Sequence, residues 1–466
     1  MRQYNAPAMA QPSLERAIGP VTATLVVIGS VIGSGIFLTT GAMAQHLPSP
    51  TLLMLAWAAG CLLALCGALT YAELGAMFPR AGGIYVFLHE AFGPLVGFLY
   101  GWVTILVVLG GGIAAVAIGF ADYFSYFVPA FSPQRVIASV PLGPWIWTIR
   151  AHQIVAVLSI AALGAINYRG VRAGSMTTAV LTVARVTGLL LLPIFAIVAA
   201  KASPAWTPVV PPGVASLTSA FGVALIAVLW TTEGYYFLTF AGGEVRDPAR
   251  TVPRALTTGL LAIMGIYLIV NLAYFYALPI DRIIGTTRIA EAAATALVGP
   301  AGASIIAATV LTSTFGANAA VLLGASRVTY AMASDGLFFR STAAIHPRFK
   351  SPHVAIVALT AWSSLLALSG TYEQLFTYVV FASVLFSVFG GLALFRLRGA
   401  RPGAERPYRV WGYPFVPMAF VAGSIYLVVN TLIERPAESI AGLGLLLLGL
   451  PAYGYWSRRV TTGHDR

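Results

Sequence analysis

Charged residues are scarce in this chain. Only 9% of its 466 residues are Asp, Glu, Lys or Arg, whereas a soluble domain carries roughly a quarter. A soluble globule with so little charge would expose large apolar patches and aggregate. Since 58% of the residues are hydrophobic and no polar linker divides the chain, the composition indicates a protein that is surrounded by lipid.

Cysteine and the common catalytic motifs are also scarce. The two cysteines, Cys61 and Cys66, lie in one hydrophobic segment. Five residues apart on a helix, they point to different faces, which favours core packing over a disulfide. The sequence contains no Walker A loop, no His-Glu-x-x-His motif and no Cys/His cluster with metal-ligand spacing. We therefore expect a protein that is not an enzyme and that uses no cofactor and no metal.

Long hydrophobic runs define the fold class. A helix needs about 20 apolar residues to cross the hydrocarbon core, and twelve stretches reach or approach that length. Their continuous Leu, Val, Ala and Ile differ from the weak alternation of a barrel strand. The sequence thus predicts an all-α membrane protein with twelve transmembrane helices. Their expected bounds are 18–44, 50–77, 91–128, 151–167, 174–200, 216–241, 253–278, 301–333, 354–370, 373–397, 413–433 and 437–457.

The basic residues are distributed unevenly around these helices. With the N-terminus placed inside, 20 of the 27 Lys and Arg residues lie on cytoplasmic segments, six on outer loops and one, Arg185, within a helix. This bias predicts a multi-pass protein of the cell inner (plasma) membrane with both termini cytoplasmic. The net charge of +12 therefore reflects orientation, and we expect no nucleic-acid partner. Residues 1–17 lack a signal-peptide pattern, so the first helix is expected to remain as an anchor.

Two of the hydrophobic runs contain residues that disfavour a continuous helix. Gly33-Ser34-Gly35 follows another glycine closely in the first run, and each glycine costs a helix about 1 kcal/mol relative to Ala. Close packing of helices through small residues is the alternative interpretation. The sixth run carries Glu233 next to Gly234, and a charge deep in an apolar run is costly and usually functional. Interrupted helices at corresponding positions of two halves indicate the binding site of a transporter.

Several motifs, in order and at the right spacing, resemble the amino acid–polyamine–organocation superfamily. Within it, the chain is most similar to the prokaryotic relatives of the L-type amino acid transporters. The resemblance covers nearly the whole length. Its motifs are IGSGIF at 32–37, YAELG at 71–75, FPRAGGIY at 78–85, AGGEVRDP at 241–248, HPRF at 346–349 and PYRVWGYP at 407–414.

The resemblance implies the leucine-transporter fold, in which helices 1 and 6 are broken. Two inverted five-helix repeats, 18–200 and 216–397, would be followed by two extra helices at 413–457, with tails at 1–17 and 458–466. A substrate would lie at mid-membrane between the broken helices. Its carboxylate would meet backbone amides at the start of a half-helix, and its ammonium would meet carbonyls. The implied binding residues are Val31, Ile32, Gly33, Ser34, Gly35, Trp230, Thr231, Thr232, Glu233 and Gly234.

The same resemblance assigns a role to Arg185. Relatives carry a lysine at this position, which fills the place of a sodium ion in sodium-driven members of the fold. Arginine does not give up its proton in practice, so Arg185 would replace sodium permanently. A structural role, with the guanidinium neutralised by Glu233 or bound to carbonyls, is the alternative.

The resemblance also indicates an inner gate. Trp230 aligns with an aromatic residue that closes over the substrate, although a core or lipid-facing ring is the alternative. Glu73, Arg80 and Tyr85 lie at the expected cytoplasmic end, where Glu73 either pairs with Arg80 or caps a solvated helix end. The loop between helices 3 and 4 has no cysteine, so no disulfide-linked heavy subunit is expected. Asn318 stands one place earlier than in relatives, so it is expected to face about 100° away around the helix and thereby to alter the pocket wall.

These features predict a secondary transporter that moves L-amino acids by alternating access. We expect sodium-independent transport, by exchange or linked to protons. An amine or polyamine transporter of the same fold, with Glu233 receiving the cation, is the alternative. A channel or receptor is less favoured, because a channel needs a continuous lining of polar or charged rings.

Overall fold

The computed structural model describes residues 16–142, 145–210, 216–369, 372–434 and 436–462. Most of the two expected tails, 1–15 and 463–466, lies outside the described residues. The helices are α1 (Pro20–Val31), α2 (Gly35–His46), α3 (Pro50–Met77), α4 (Ile84–Phe92), α5 (Pro94–Val103), α6 (Gly110–Phe127), α7 (Ala151–Tyr168), α8 (Val171–Ala199), α9 (Leu217–Thr232), α10 (Phe237–Phe240), α11 (Pro248–Ala277), α12 (Ile280–Ile283), α13 (Ile289–Val298), α14 (Pro300–Ser334), α15 (His353–Ser369), α16 (Tyr372–Ala400), α17 (Phe415–Glu434) and α18 (Pro436–Thr462).

Proline sets the start of many of these helices. Pro20, Pro50, Pro94, Pro248 and Pro300 all stand at the beginning of a helix. Proline is suited to this position because its missing N–H would have no partner there and its φ angle is already helical. The predicted segment 50–77 coincides with α3, and the predicted segment 301–333 lies within α14.

Within the described residues, nine helical segments are long and apolar enough to cross a membrane. This confirms a predominantly helical membrane protein, while the count of twelve spans stays a prediction. Two of the predicted runs, 216–241 and 354–370, correspond to the shorter apolar helices α9 and α15. The nine segments are Pro20–His46, Pro50–Met77, Pro94–Phe127, Ala151–Tyr168, Met176–Ala199, Pro248–Ala277, Pro300–Ser334, Val379–Ala400 and Phe415–Glu434.

One hairpin departs from the predicted all-α class. Strands β1 (Val136–Leu142) and β2 (Trp145–Arg150) pair in antiparallel fashion between α6 and α7. β1 contains two valines and an isoleucine, and β2 contains two isoleucines and two tryptophans. These residue types favour extended backbone. The segment between the third and fourth predicted helices therefore contains a short β-hairpin.

Helical structure stops and restarts in the two runs singled out above. α1 ends at Val31, and α2 begins at Gly35. α9 ends at Thr232, and Gly234 has a φ of +102°, a conformation that glycine adopts at no steric cost. A side chain at Gly234 would also lie 2.7 Å from the Ser30 carbonyl oxygen. The two interruptions are therefore packed directly against each other.

The surrounding helices form two packed groups. One contains α3, α9 and α11, and the other contains α6, α7, α8, α14 and α15. α1 packs against α11 in the first group and against α8 and α14 in the second. Glycines permit close approach, as at Gly188, where an added Cβ would lie 2.9 Å from the Cβ of Thr309. This arrangement places the interruption between α1 and α2 inside the molecule, between the two groups.

Candidate substrate-binding site

A buried cavity of about 50 Å³ lies where the two interrupted runs meet. By the volume that one water needs, it has room for roughly four water-sized groups. Seven of the ten residues predicted to bind substrate line it. They are Val31, Gly33, Ser34, Gly35, Trp230, Thr231 and Glu233.

The other three predicted residues lie behind the cavity wall. The Ile32 carbonyl points away and accepts hydrogen bonds from Arg185 and Ser313. The Thr232 hydroxyl donates to the Val228 carbonyl within its own helix. Gly234 packs against the backbone of Ser30. Of the two carbonyls offered as alternatives for the ammonium group, Val31 and Ile32, only Val31 belongs to a residue of the cavity lining. The binding roles of Ile32, Thr232 and Gly234 stay predictions.

The opposite wall of the cavity consists of small apolar residues. It includes Val108, Gly112, Val116, Ala317 and Val321 from α14 and from the helix that precedes the β-hairpin. Asn318, which was expected to face away and so to alter this wall, is not among the lining residues. It is buried and donates its amide to the Ile113 carbonyl at 3.1 Å.

The start of α2 gives the cavity an electropositive edge. The first N–H groups of a helix have no partner within it, and the helix dipole adds a partial positive charge there. α2 begins at Gly35, and no side chain caps its N-terminus. Gly33, Ser34 and Gly35 all line the cavity. This edge is suited to an anionic group such as a carboxylate.

The carbonyls expected to bind an ammonium group already have partners. The Tyr267 hydroxyl reaches the carbonyl oxygens of Val31 and Thr231, at 3.2 and 3.1 Å. A carbonyl oxygen has two lone pairs, so each retains one acceptor position. Tyr267 was not predicted as a site residue. Its signal in the sequence was a tyrosine four residues before Asn271 in an apolar run, which places both polar groups on one helix face.

Arg185 is fully buried and binds backbone carbonyls. Its Nη1 donates to the carbonyl oxygens of Gly29, Ile32 and Ser313, at 2.8, 2.7 and 3.2 Å. Its Nη2 lies 3.1 Å from the Thr182 hydroxyl. The guanidinium therefore ties the end of α1 to α8 and α14, at the point where the helical hydrogen bonding of α1 is lost.

Glu233 lines the cavity. Within the described residues, it forms no hydrogen bond or ion pair with Arg185. Its carboxylate accepts a hydrogen bond from the Tyr236 hydroxyl. The interpretation in which Glu233 neutralises Arg185 is therefore wrong. Glu233 instead brings a carboxylate to a cavity whose other polar edge consists of amide groups.

Two different regions flank the cavity. On one side lies an open cavity of about 1200 Å³, called the vestibule here, whose lining includes Thr39, His46, Asp122, His152 and Arg288. On the other side, called the closed side here, backbone groups join separate segments. These hydrogen bonds run from Gly82 N to Phe240 O, from Ile18 N to Glu244 O and from Arg246 N to Ile18 O.

A buried ion pair reinforces the closed side. Arg327 and Glu244 lie 3.2 Å apart, and their side chains are 2% and 0% exposed. The pair joins α14 to the segment after α10. Neither residue was predicted as functional, because no sequence signal pairs two groups that lie 83 positions apart. The cavity thus lies between the vestibule on one side of the helix bundle and the packed closed side on the other.

Comparison with known proteins identifies the family. The model of a family described as "Amino acid permease" matches residues 18–443. The chain belongs to the amino acid permease family. The permease is 30% identical to the serine/threonine exchanger SteT of Bacillus subtilis over 445 residues, which cover 94% of this chain and 96% of the relative.

Animal relatives are also similar along nearly the whole permease. The Asc-type amino acid transporter 1 of Homo sapiens is 28% identical, with 95% of this chain and 82% of the relative covered. The b(0,+)-type amino acid transporter 1 of Mus musculus is 26% identical, with 95% and 88% covered. The relatives therefore support amino acid transport and a membrane setting for the permease.

The predicted pairing of Glu73 with Arg80 is wrong, and so is the solvated alternative. The Glu73 carboxylate is fully buried and accepts two hydrogen bonds from Arg398, at 2.9 and 2.6 Å. It also accepts from the Val410 N–H at 2.6 Å. Arg80 pairs instead with Glu90. Glu73 therefore fastens α3 to the end of α16 and to the segment before α17.

The other predicted gate residues lie in two places. Tyr85 is buried on the closed side, where its hydroxyl donates to the Asp335 carboxylate at 2.6 Å. Trp230, at 7% exposure, lines the cavity itself. The gate roles of both residues stay predictions, while the structure places Tyr85 at a junction between α4 and the end of α14.

We predict that Glu73→Gln destabilises the permease strongly. The variant leaves the Arg398 guanidinium beside a neutral amide, and breaking a buried ion pair costs about 3–5 kcal/mol. The midpoint of thermal unfolding in detergent should fall by several degrees.

Glu90→Gln is the matched control for this experiment. Burial raises the pKa of Glu90, whereas hydrogen bonds from Arg401 and Arg80 lower it. The lowering outweighs the effect of burial, so the pKa of Glu90 lies below its ordinary value. Glu90 is ionised at neutral pH and its ion pairs are exposed, so its loss should cost about 1 kcal/mol or less. Equal unfolding midpoints for the two variants would contradict the role of Glu73.

Proposed function

We propose that the permease moves small neutral L-amino acids across the inner membrane by alternating access, in exchange and without sodium. The observation that carries the proposal is the cavity between the two interruptions, which lies between the vestibule and the packed backbone of the closed side. The proposed architecture has twelve transmembrane helices in two inverted repeats plus two helices, with helices 1 and 6 broken. With both termini cytoplasmic, the vestibule faces outward.

The chemistry of the cavity supports an amino acid as substrate. A carboxylate would meet the amides at the start of α2, and an ammonium group would meet the remaining acceptor positions of Val31 and Thr231. A cavity of about 50 Å³ favours a small side chain, and SteT is a serine/threonine exchanger. L-Serine and L-threonine are therefore the first substrates to test.

Two other functions are less well supported. Glu233 at the cavity favours an amine or polyamine, because its carboxylate would receive a cation. A substrate without a carboxylate, however, would leave the α2 amides unpaired. A channel would need a continuous polar path, whereas the closed side contains paired backbone and a buried ion pair.

No disulfide-linked heavy subunit is required in this proposal. The segment between α6 and α7, where animal members carry the linking cysteine, has no cysteine here. The purified permease alone should therefore be active in liposomes.

The decisive experiment is exchange in proteoliposomes. Liposomes loaded with unlabelled L-serine should take up labelled L-serine faster than empty liposomes, with saturation as the external concentration rises. A panel of unlabelled amino acids and polyamines added outside should show competition by small neutral amino acids. Competition by polyamines alone would favour the amine transporter, and no saturable uptake of any amino acid would overturn the proposal.

We predict that Glu233→Gln removes the pH dependence of uptake between pH 5 and 8. Arg185 does not titrate in practice, so Glu233 is the titratable group at the cavity through which protons can act, and an amide cannot bind a proton in its place. Initial uptake rates across this range measure the effect.

Tyr236→Phe is the comparison variant for Glu233. It removes the hydroxyl that donates to Glu233 but keeps the carboxyl group, so its uptake should still depend on pH. A Glu233→Gln variant with the pH profile of the wild type would exclude a proton-linked role for this residue and leave exchange without protons.

A further inference from the structure

The helix that borders the cavity contains a wide turn. Between α5 and α6, residues Thr104–Leu109 form a π-helix. Such segments are rare, usually span a single turn inside an α-helix and are frequent at functional sites. Val108 belongs to this π-segment, and Gly112 follows one turn later. Both residues line the cavity, so the π-segment sets part of the cavity wall.

A tryptophan from another helix holds the π-segment. The indole N–H of Trp362, on α15, donates to the Leu106 carbonyl oxygen at 2.8 Å. The indole N–H is only a donor, and an interrupted helical ladder needs donors for its freed carbonyls. Among the described residues that line the cavity, Trp362 is not included. It therefore acts on the π-segment from outside the cavity.

A glycine lets the indole ring lie against the helix. A Cβ added at Gly110 would lie 2.6 Å from Cδ1 and 2.9 Å from Nε1 of Trp362. Real Cβ atoms do not approach other atoms so closely, so a side chain here would displace the ring. Gly110 immediately follows the π-segment. The hydrogen bond to Leu106 therefore depends on both residues.

We propose that Trp362 is a positioning residue that fixes the substrate selectivity of the cavity by stabilising the π-segment. Successive residues of an α-helix are turned by about 100°. If the π-segment relaxed to an α-helix, Val108 and Gly112 would turn by about that angle relative to α5. They would then leave their places on the cavity wall. This inference rests on the proposed transport of amino acids.

Trp362→Phe tests the proposal because it keeps an aromatic ring and removes the N–H. Trp102→Phe is the matched control, since the Trp102 indole also donates to a backbone carbonyl, that of Leu445 at 3.1 Å, and it does not line the cavity. Gly110→Ala should reproduce the effect of Trp362→Phe. Gly265→Ala is its control, because an added Cβ there meets nothing within 4 Å.

The readouts are L-serine exchange kinetics and amide hydrogen exchange. For Trp362→Phe and Gly110→Ala, the KM for L-serine should rise about fivefold or more, as expected for the loss of one hydrogen bond. The maximal rate should stay within about twofold, and the ranking of competing amino acids by size should change. Amides 104–112 should exchange faster in these variants, with or without substrate.

The outcomes separate this inference from the proposed function. Unchanged KM and unchanged exchange of amides 104–112 in Trp362→Phe would overturn the inference while transport by the wild type stood. An equal rise in KM for Trp102→Phe would also overturn it, because the effect would then be general to indole contacts. If the wild type transported no amino acid, the proposed function would fail, and unchanged amide exchange would still refute the link between Trp362 and the π-segment.

Discussion

Gly35→Val will abolish amino acid binding by the permease while the protein still inserts and folds. A Cβ at position 35 would lie 2.5 Å from the Thr231 hydroxyl oxygen and 2.9 Å from the Thr231 Cα. The second atom belongs to the backbone, so no side-chain rotation relieves the collision. The start of α2 and the end of α9 would have to separate, and both line the cavity.

The measurement is equilibrium binding of labelled L-serine to purified protein, where no saturable binding is expected. Gly33→Ala is the matched variant, because its Cβ would meet only ordinary contacts, with Ala317 Cβ at 3.6 Å the nearest. It should lose affinity by less than about tenfold, the equivalent of 1.4 kcal/mol. Gly265→Val controls for added bulk in a helix. A monodisperse Gly35→Val protein with wild-type affinity would refute the assignment of the site.

Much of the helical framework was predictable because local signals determine it. Long apolar runs and helix-starting prolines determine α3 and α14 within one residue of their predicted ends. The run 91–128 is less regular than predicted. Gly93 has a φ of +93° and ends α4, and Pro94 starts α5. The π-segment at Thr104–Leu109 could not be seen in a run that is apolar on every face, because periodicity is then invisible.

The candidate site was predictable in position but not in its contacts. Clustered glycines and a charge inside an apolar run identified residues that do line one cavity. The partners of buried polar groups were missed because they lie far apart in sequence. Glu73 binds Arg398, 325 positions away, rather than the neighbouring Arg80. Such choices depend on how helices pack, and a local pattern carries no information about them.

Arg185→Ala will abolish transport by the permease. A second prediction concerns the wild type, which will transport equally well in sodium and in choline. Removing the guanidinium takes this donor from the buried carbonyls of Gly29, Ile32 and Ser313, although Ile32 keeps its hydrogen bond from the Ser313 hydroxyl. A hydrogen bond to a charged group contributes about 1.5–3 kcal/mol, so the junction of α1 with α8 and α14 should lose its shape. Arg185→Lys keeps a positive charge but loses the planar fork of donors, and it should retain part of the activity.

We expect sodium-independent transport because of the charge of Arg185. A sodium ion about 4 Å from the guanidinium would be repelled by about 4 kcal/mol at an effective dielectric of 20, so the two cations should not share these carbonyls. A side chain also cannot leave with the substrate, so it cannot couple transport to a sodium gradient.

The measurement is L-serine exchange in proteoliposomes at fixed pH, with sodium replaced by choline. Arg401→Ala, which removes an arginine that is 46% exposed and pairs with Glu90, is the control for loss of a positive charge. A large fall in rate on sodium removal, or normal transport by Arg185→Ala, would contradict the role given to Arg185.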